Sequence, residues 1–258
     1  MLSVIAAVLY VLVSLAHWIR QWLPRLPWAE RGLLLAAVTA HAVGLQQAVV
    51  LHGGIDLGLF KALSILGLIM AVLVLFNQLR RGAVDLGAWL LPICAGSALA
   101  GGFLSTGYEL RAPSFGLTLH VLFALLAYAM FTVTLVYAFV VRAQDKGLKH
   151  HQLTKFLMRL PPLQSMERTQ FKLAWISFIL LTLAMTVGFV TLDSFMGQHV
   201  AHKSLLSLAA WGFFALLFVG HHYWGWRAVM TLRWLLGGYV LLTIGFWGSK
   251  IVLEFILN

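Results

Sequence analysis

Apolar residues in this chain come in long unbroken runs rather than in alternating or amphipathic patterns. Eight runs stand out: Leu2–Ile19, Leu33–Leu51, Leu57–Leu79, Leu86–Leu104, Phe115–Val141, Leu173–Leu192, Leu205–Gly220 and Leu232–Leu253. A helix of about 20 apolar residues spans the hydrocarbon of a bilayer. Lipid offers the backbone no outside hydrogen-bond partner, so each run predicts a helix. The expected fold is therefore all-α: a polytopic membrane protein with eight transmembrane helices. The first run lacks a basic leading stretch and a small-residue cleavage site, which predicts a retained helix rather than a signal peptide.

The polar positions between the runs set the orientation. Arg20, Arg25 and Arg31 follow the first helix, Arg80 and Arg81 the third, seven cations from Arg142 to Lys172 the fifth, and Arg227 and Arg233 the seventh, together 14 of the 18 Lys and Arg residues. The connections on the other side hold only Lys61, Arg111 and Lys203, and Lys250 lies in the last helix. Cytoplasmic loops collect Lys and Arg. Both termini are thus expected on the outer (periplasmic) side.

One connection, Arg142–Lys172, is long. In it Leu153, Phe156, Leu157 and Leu160 recur at helical spacing, with Lys155 and Arg159 on other faces and Pro161 and Pro162 at the end. The pattern predicts an amphipathic helix lying on the cytoplasmic surface, attracted to anionic lipid.

Composition agrees with the pattern and adds exclusions. Of 258 residues 61% are hydrophobic and 10% charged, and mean hydropathy is +0.92; soluble domains carry roughly 25% charged residues. No linker, repeat or low-complexity run divides the chain, so residues 1–258 are expected as one domain. A net charge of +10 invites a nucleic-acid reading, but its placement at the cytoplasmic helix ends assigns it to the membrane surface instead. The single cysteine, Cys94, excludes an intrachain disulfide framework, a CxxC relay and a cysteine-rich metal site. No carboxylate lies inside the eight runs, which disfavours a proton- or cation-coupled carrier. No Ser/His/Asp set, phosphate loop or HExxH helix is present, so no enzymatic activity is expected.

The candidate chemistry rests on the ten histidines. His150 and His151 fall in the basic connection and read as solvated. His17 beside Trp18, and His221 and His222 before Tyr223-Trp224-Gly225-Trp226, read as parts of an interfacial belt. His52 with Asp56 is an incomplete ligand set. His41 lies at the centre of the second helix with Ala37, Gly44 and Ala48 on its face. That face suits either a bulky ligand or plain helix packing with a cross-helix hydrogen bond, and both readings stay open. His120 and His202 each enter a helix from the outer side. Each precedes a small-plus-aromatic face: Ala124, Ala127 and Tyr128 in one case, Leu206, Ala209 and Trp211 in the other. Two imidazoles at matching depth suit a flat macrocycle with two axial ligands, as in haem; the alternative is a pair of interfacial histidines at helix starts.

Six stretches carry a resemblance: HVLFALLAYAM from His120, LPPLQSMERTQF, LLTLAMTVGFV, HKSLLSLAAWGFFALLF from His202, GWRA, and FWGSKIVLE. From about His41 onward the chain resembles the YpjD-type inner-membrane proteins of the cytochrome c assembly superfamily, which includes the haem-handling CcsA and CcmC proteins and the HemX proteins. The resemblance implies that His120 and His202 correspond to the outward-facing histidine pair that brackets haem, and that His41 is similar to a histidine linked to haem within the membrane. One departure is plain. Haem-delivery members carry a tryptophan-rich WGxxWxWD-like segment between the outer histidines, whereas here that interval holds only Trp175.

The expectation is a multi-pass protein of the bacterial inner membrane that binds haem b non-covalently near its outer face. His120 and His202 are the expected axial iron ligands and His41 a further cofactor contact. The role would be haem handling in a cytochrome c assembly-type process, with haem, the bilayer and other membrane assembly proteins as partners. The rivals are a haem-free accessory protein of the same fold, a divalent-metal export component using His41, His52, His120 and His202, and a b-type electron carrier.

Overall fold

The computed structural model describes residues 1–19, 27–51, 54–79, 84–105, 109–110, 114–151, 154–158, 160–191 and 201–248. Its helices are α1 (Leu2–Ile19), α2 (Pro27–Val49), α3 (Leu59–Leu79), α4 (Gly87–Phe103), α5 (Phe115–Lys149), α6 (Lys155–Met158), α7 (Leu163–Thr191), α8 (Ala201–Trp224) and α9 (Ala228–Thr243), the last running into a π-helical turn, Ile244–Gly248. Seven of these are long and apolar enough to cross a membrane; the expected fourth span, Gly87–Phe103, is a shorter helix of 17 residues. Large apolar side chains such as Val8, Leu12, Phe76, Trp89, Ile179 and Phe189 point outward, as lipid-facing positions do.

The helices pack as two compact units, Met1–Pro113 and Ser114–Leu257. In the first, α4 packs on α1 and α3, and α2 packs on α1 and α3. Small residues let the backbones close in: a Cβ at Gly67 would meet the side chain of Ser97, and one at Gly101 the side chain of Ser64, the close-approach pattern of membrane helices. Pro92 sits inside α4 and has no N–H for the carbonyl four residues back. That carbonyl, Ala88 O, accepts instead from the Ser14 hydroxyl of α1 at 3.1 Å.

A small antiparallel sheet joins the first unit's helices at one end: β1 (Val50–Leu51) pairs with β2 (Gly54–Asp56), which pairs with β3 (Glu109–Leu110). Asp56 is buried; its carboxylate accepts from Gly58 N at 2.8 Å and from the Ser105 hydroxyl at 2.9 Å. Nearby in sequence, the buried Lys61 ammonium donates to Gly101 O at 2.6 Å, placing a cation on a C-terminal carbonyl of α4, where the helix dipole favours it.

In the second unit α5 and α7 form the most extensive contact, with α9 also on α5 and α8 on α9. Gly116 of α5 lies against Thr191 of α7, so the two run antiparallel, with Ser177, Ala184 and Gly188 of α7 among the buried residues. The Phe131 and Phe214 rings stack at 3.9 Å. Trp226 folds back from the α8–α9 turn onto Gly220, and Gly225 makes that turn at φ +62, a left-handed conformation glycine adopts without a Cβ penalty.

The long connection differs from the amphipathic helix expected there. α5 runs on to Lys149 and α7 starts at Leu163, leaving α6 as four residues. The extension of α5 has a visible cause. Asp145 pairs with Arg142 at 2.8 Å and with Lys149 at 3.0 Å, the i,i+3 and i,i+4 spacings that support a helix in water. Leu153 and Arg159 lie outside the described residues, as do the side chains of Lys155 and Phe156. Pro161 and Pro162 stand between α6 and α7, as expected of residues that end one helix and permit the start of another.

Candidate functional site

His120 sits in the second turn of α5, whose start is fixed by Ser114, the N-cap residue whose hydroxyl accepts from Leu117 N at 3.2 Å. The imidazole is half-buried against α7, and its Nδ1 lies 2.7 Å from Ala184 O. A carbonyl can only accept, so Nδ1 carries the proton and Nε2 is the nitrogen with the lone pair in the neutral ring. Metal-ligating histidines are commonly held this way, the second ring nitrogen donating to a carbonyl that fixes tautomer and ring orientation. His120 is thus held in one tautomer and orientation, as a residue that could hold a metal ion would be.

Below it on α5, Ala127 and Tyr128 are buried. The Tyr128 hydroxyl is 2.8 Å from Thr243 Oγ1, and Thr132 Oγ1 is 2.8 Å from the Tyr239 hydroxyl. This part of the expected face is thus used to dock α9. The matching face on α8 does something else: Trp211 Nε1 donates to Thr182 Oγ1 of α7 at 3.0 Å, and Ala209 is exposed.

His202 belongs to the first turn of α8, but its side chain, like the whole of His52, lies outside the described residues. Trp211 opposite Thr182, and Gly116 opposite Thr191, place the beginnings of α5 and α8 at the same end of the second unit, the end where α7 finishes.

His41 belongs to the first unit. It is 2% exposed, and both ring nitrogens have partners: Nε2 is 2.9 Å from the Ser64 hydroxyl of α3, and Nδ1 is 3.2 Å from the Tyr10 hydroxyl of α1. The Tyr10 ring meets it edge-on at 5.8 Å. A neutral imidazole offers one donor and one acceptor, so one hydroxyl donates and the other accepts. His41 ties three helices together, and as arranged neither nitrogen can take a metal.

The remaining histidines separate into buried and exposed ones. His17 does not stand open to its surroundings: its side chain is 3% exposed, with Nε2 2.8 Å from Asp85 Oδ2 and 3.1 Å from Gln78 Nε2. A lone histidine beside a tryptophan gave no sign of this. The usable signal was Asp85, one of only eight carboxylates in the chain, poised before α4. His221 stacks on Phe171 at 3.5 Å and bonds Trp226 O through Nδ1 at 2.9 Å, while its neighbour His222 is exposed against Tyr223. His150 and His151 are exposed, in accord with their reading as solvated. Among the described residues no three His, Cys, Asp or Glu side chains converge as a metal site.

Comparison with known proteins adds the family context. The family described as Cytochrome C assembly protein matches residues 32–257. Inner membrane protein YpjD of Escherichia coli strain K12 is 30% identical over 241 residues, covering 89% of each chain, and its counterpart in Escherichia coli O157:H7 matches equally. A protein of Azospirillum brasilense, "Uncharacterized 28.8 kDa protein in nifR3-like 5'region", is 30% identical over 195 residues, covering 73% of this chain and 72% of its own. No solved structure matches the chain.

Proposed function

The chain belongs to the cytochrome c assembly protein family, and from that membership we propose a multi-pass inner-membrane protein that binds haem b and handles it in a cytochrome c assembly-type process. The observation that carries the reading is the Nδ1–H of His120 held by the Ala184 carbonyl at 2.7 Å, which fixes the tautomer and orientation of the ring as in ligating histidines. His202, at the same end of the unit, is the second proposed ligand. Bound there, haem would supply an iron that changes redox state. The protein's part is to hold the imidazole in one tautomer and orientation and to wall the site with apolar helices. It acts as a carrier, without substrate turnover, and other membrane assembly proteins are its proposed partners.

In this reading all eight helices cross the bilayer, α4 included, since 17 residues is near the lower bound of about 17 for a span. Both termini face the periplasm, as the Lys and Arg distribution supports, and His120 and His202 then lie at the outer face. His41 is proposed as a further haem contact within the membrane; that role requires Ser64 or Tyr10 to release a ring nitrogen.

The test is an absorption spectrum of the detergent-purified protein, oxidised and dithionite-reduced, beside His120→Ala and His202→Ala. A reduced b-type α-band lost in both variants is expected. A wild type without a Soret band when expressed with excess haem would overturn the haem reading. It would leave the second one, a haem-free accessory protein, which the satisfied nitrogens of His41 and the lack of a tryptophan-rich segment between His120 and His202 favour.

A further inference from the structure

α7 changes character along its length. Its first ten residues, LQSMERTQFK, are mostly polar and hold all of its charges, and the rest, from Leu173 to Thr191, is predominantly apolar and uncharged. Lys172 and Trp175 therefore mark the level where water gives way to hydrocarbon, the depth at which tryptophan and basic residues gather. At that level a cleft of about 490 Å³ opens between α7 and the α8–α9 turn, with Arg168, Lys172 and Trp175 on one side and His221 and Arg227 on the other.

The cleft is electropositive for a structural reason. Its one carboxylate, Glu167, accepts from Arg227 through Nε at 3.1 Å and Nη2 at 2.6 Å. That bond holds the Arg227 guanidinium above its already high usual range, and the two opposite charges of the pair offset one another. Arg168 and Lys172 are exposed, one helical turn apart on the same face, and have no carboxylate partner among the described residues. Directly along the helix from them, Trp175 is 47% exposed with one face fixed by Phe218 at 4.2 Å, and Ile179 and Leu183 continue the exposed apolar track.

We propose that this cleft binds the headgroup phosphate of an anionic phospholipid, with an acyl chain lying along Trp175, Ile179 and Leu183. Two unpaired cations attract the phosphate, and the apolar track leading from them distinguishes a lipid from a free anion, which needs only the charges. Basic pockets between transmembrane helices recognise lipid headgroups by this combination. Under the proposed orientation the lipid belongs to the cytoplasmic leaflet.

The experiment is native mass spectrometry of the full chain released from detergent with phosphatidylglycerol or phosphatidylcholine added, alongside a thermal-shift titration with each lipid and with inorganic phosphate. The wild type should retain phosphatidylglycerol selectively. The double variant Arg168→Gln/Lys172→Gln should bind it roughly thirtyfold more weakly, and each single variant about fivefold. Lys146→Gln/Lys149→Gln, which removes equal charge from the end of α5, should bind as wild type. Equal retention of both lipids by the wild type, or equal losses in the α5 control, would overturn the site, because the attraction would then be diffuse. Inorganic phosphate that displaces phosphatidylglycerol by itself would overturn the lipid assignment in favour of a free-anion site. The single variants keep the test intact should the double variant fail to purify, and none of the outcomes depends on haem.

Discussion

The Ser14 hydroxyl of α1 donates at 3.1 Å to Ala88 O of α4, the carbonyl that Pro92 leaves without its helical N–H. In a membrane helix an unpaired carbonyl is costly because lipid cannot satisfy it, and here the neighbouring helix does so. A proline within an apolar run is thereby tolerated, and the contact also fixes how α1 packs on α4.

Ser14→Ala should therefore lower stability by about 0.6–2 kcal/mol, the range for an interhelical hydrogen bond in a membrane protein. In a Pro92→Ala background, where the backbone supplies its own N–H, the same substitution should cost much less. Thermal denaturation of the four variants in detergent forms the cycle; equal costs in the two backgrounds would show that Ser14 does not compensate for the proline.

Asp85 serves two purposes through its two oxygens: Oδ1 accepts from Gly87 N at 2.9 Å at the start of α4, and Oδ2 lies 2.8 Å from His17 Nε2. Gly87 leaves room for this, since a Cβ there would meet His17 Nε2 at 3.0 Å. Asp85→Asn keeps an acceptor for the helix start, whereas Asp85→Ala loses both. The alanine variant should be less stable by about 1–2 kcal/mol and the asparagine variant by clearly less. Identical melting temperatures for the two would assign the whole effect to His17 instead of the bond to Gly87 N.

The helices were legible because each is a long, predominantly apolar run, and lipid permits that run no other structure. Their ends were not. Hydropathy ends α5 at Val141, but Arg142, Asp145 and Lys149 carry it to the end of a 35-residue helix through ion pairs that a hydrophobicity pattern does not register. The two- and three-residue strands of the β1–β3 sheet are too short to carry a period. At the candidate site, His41 could be picked out by its small-residue face. Its partners, Tyr10 and Ser64, lie on other helices, and nothing in sequence spacing reports a contact between helices. The partner of His17, Asp85, is hidden for the same reason, being far along the chain.

His41 separates two roles. Ser64→Ala frees its Nε2 and removes one interhelical bond, so stability should fall by about 0.5–2 kcal/mol. If His41 contacts haem, this variant should also take up more haem per protein than the wild type, and His41→Ala less. Unchanged haem content in both variants, with the stability loss intact, would assign His41 to packing alone. Haem titration monitored by the Soret band, run on the same samples as the melting curves, reads both quantities.

Orientation can be tested because Cys94, the only cysteine in the chain, is buried and should resist aqueous thiol reagents. Single cysteines introduced at exposed positions then report their own side. Ser105→Cys, just after α4, should react in intact cells with a membrane-impermeant maleimide. His150→Cys, at the end of α5, should react only after the inner membrane is opened. Lys and Arg are concentrated on the side of His150, and basic connections are retained in the cytoplasm. Were α4 not to cross, Ser105 would share a side with the end of α3, so a third variant, Leu79→Cys, at an exposed position there, checks the span directly. The Ser105 and Leu79 positions should label from opposite sides. Labelling of both from one side would give a seven-span protein and put the two termini on opposite faces.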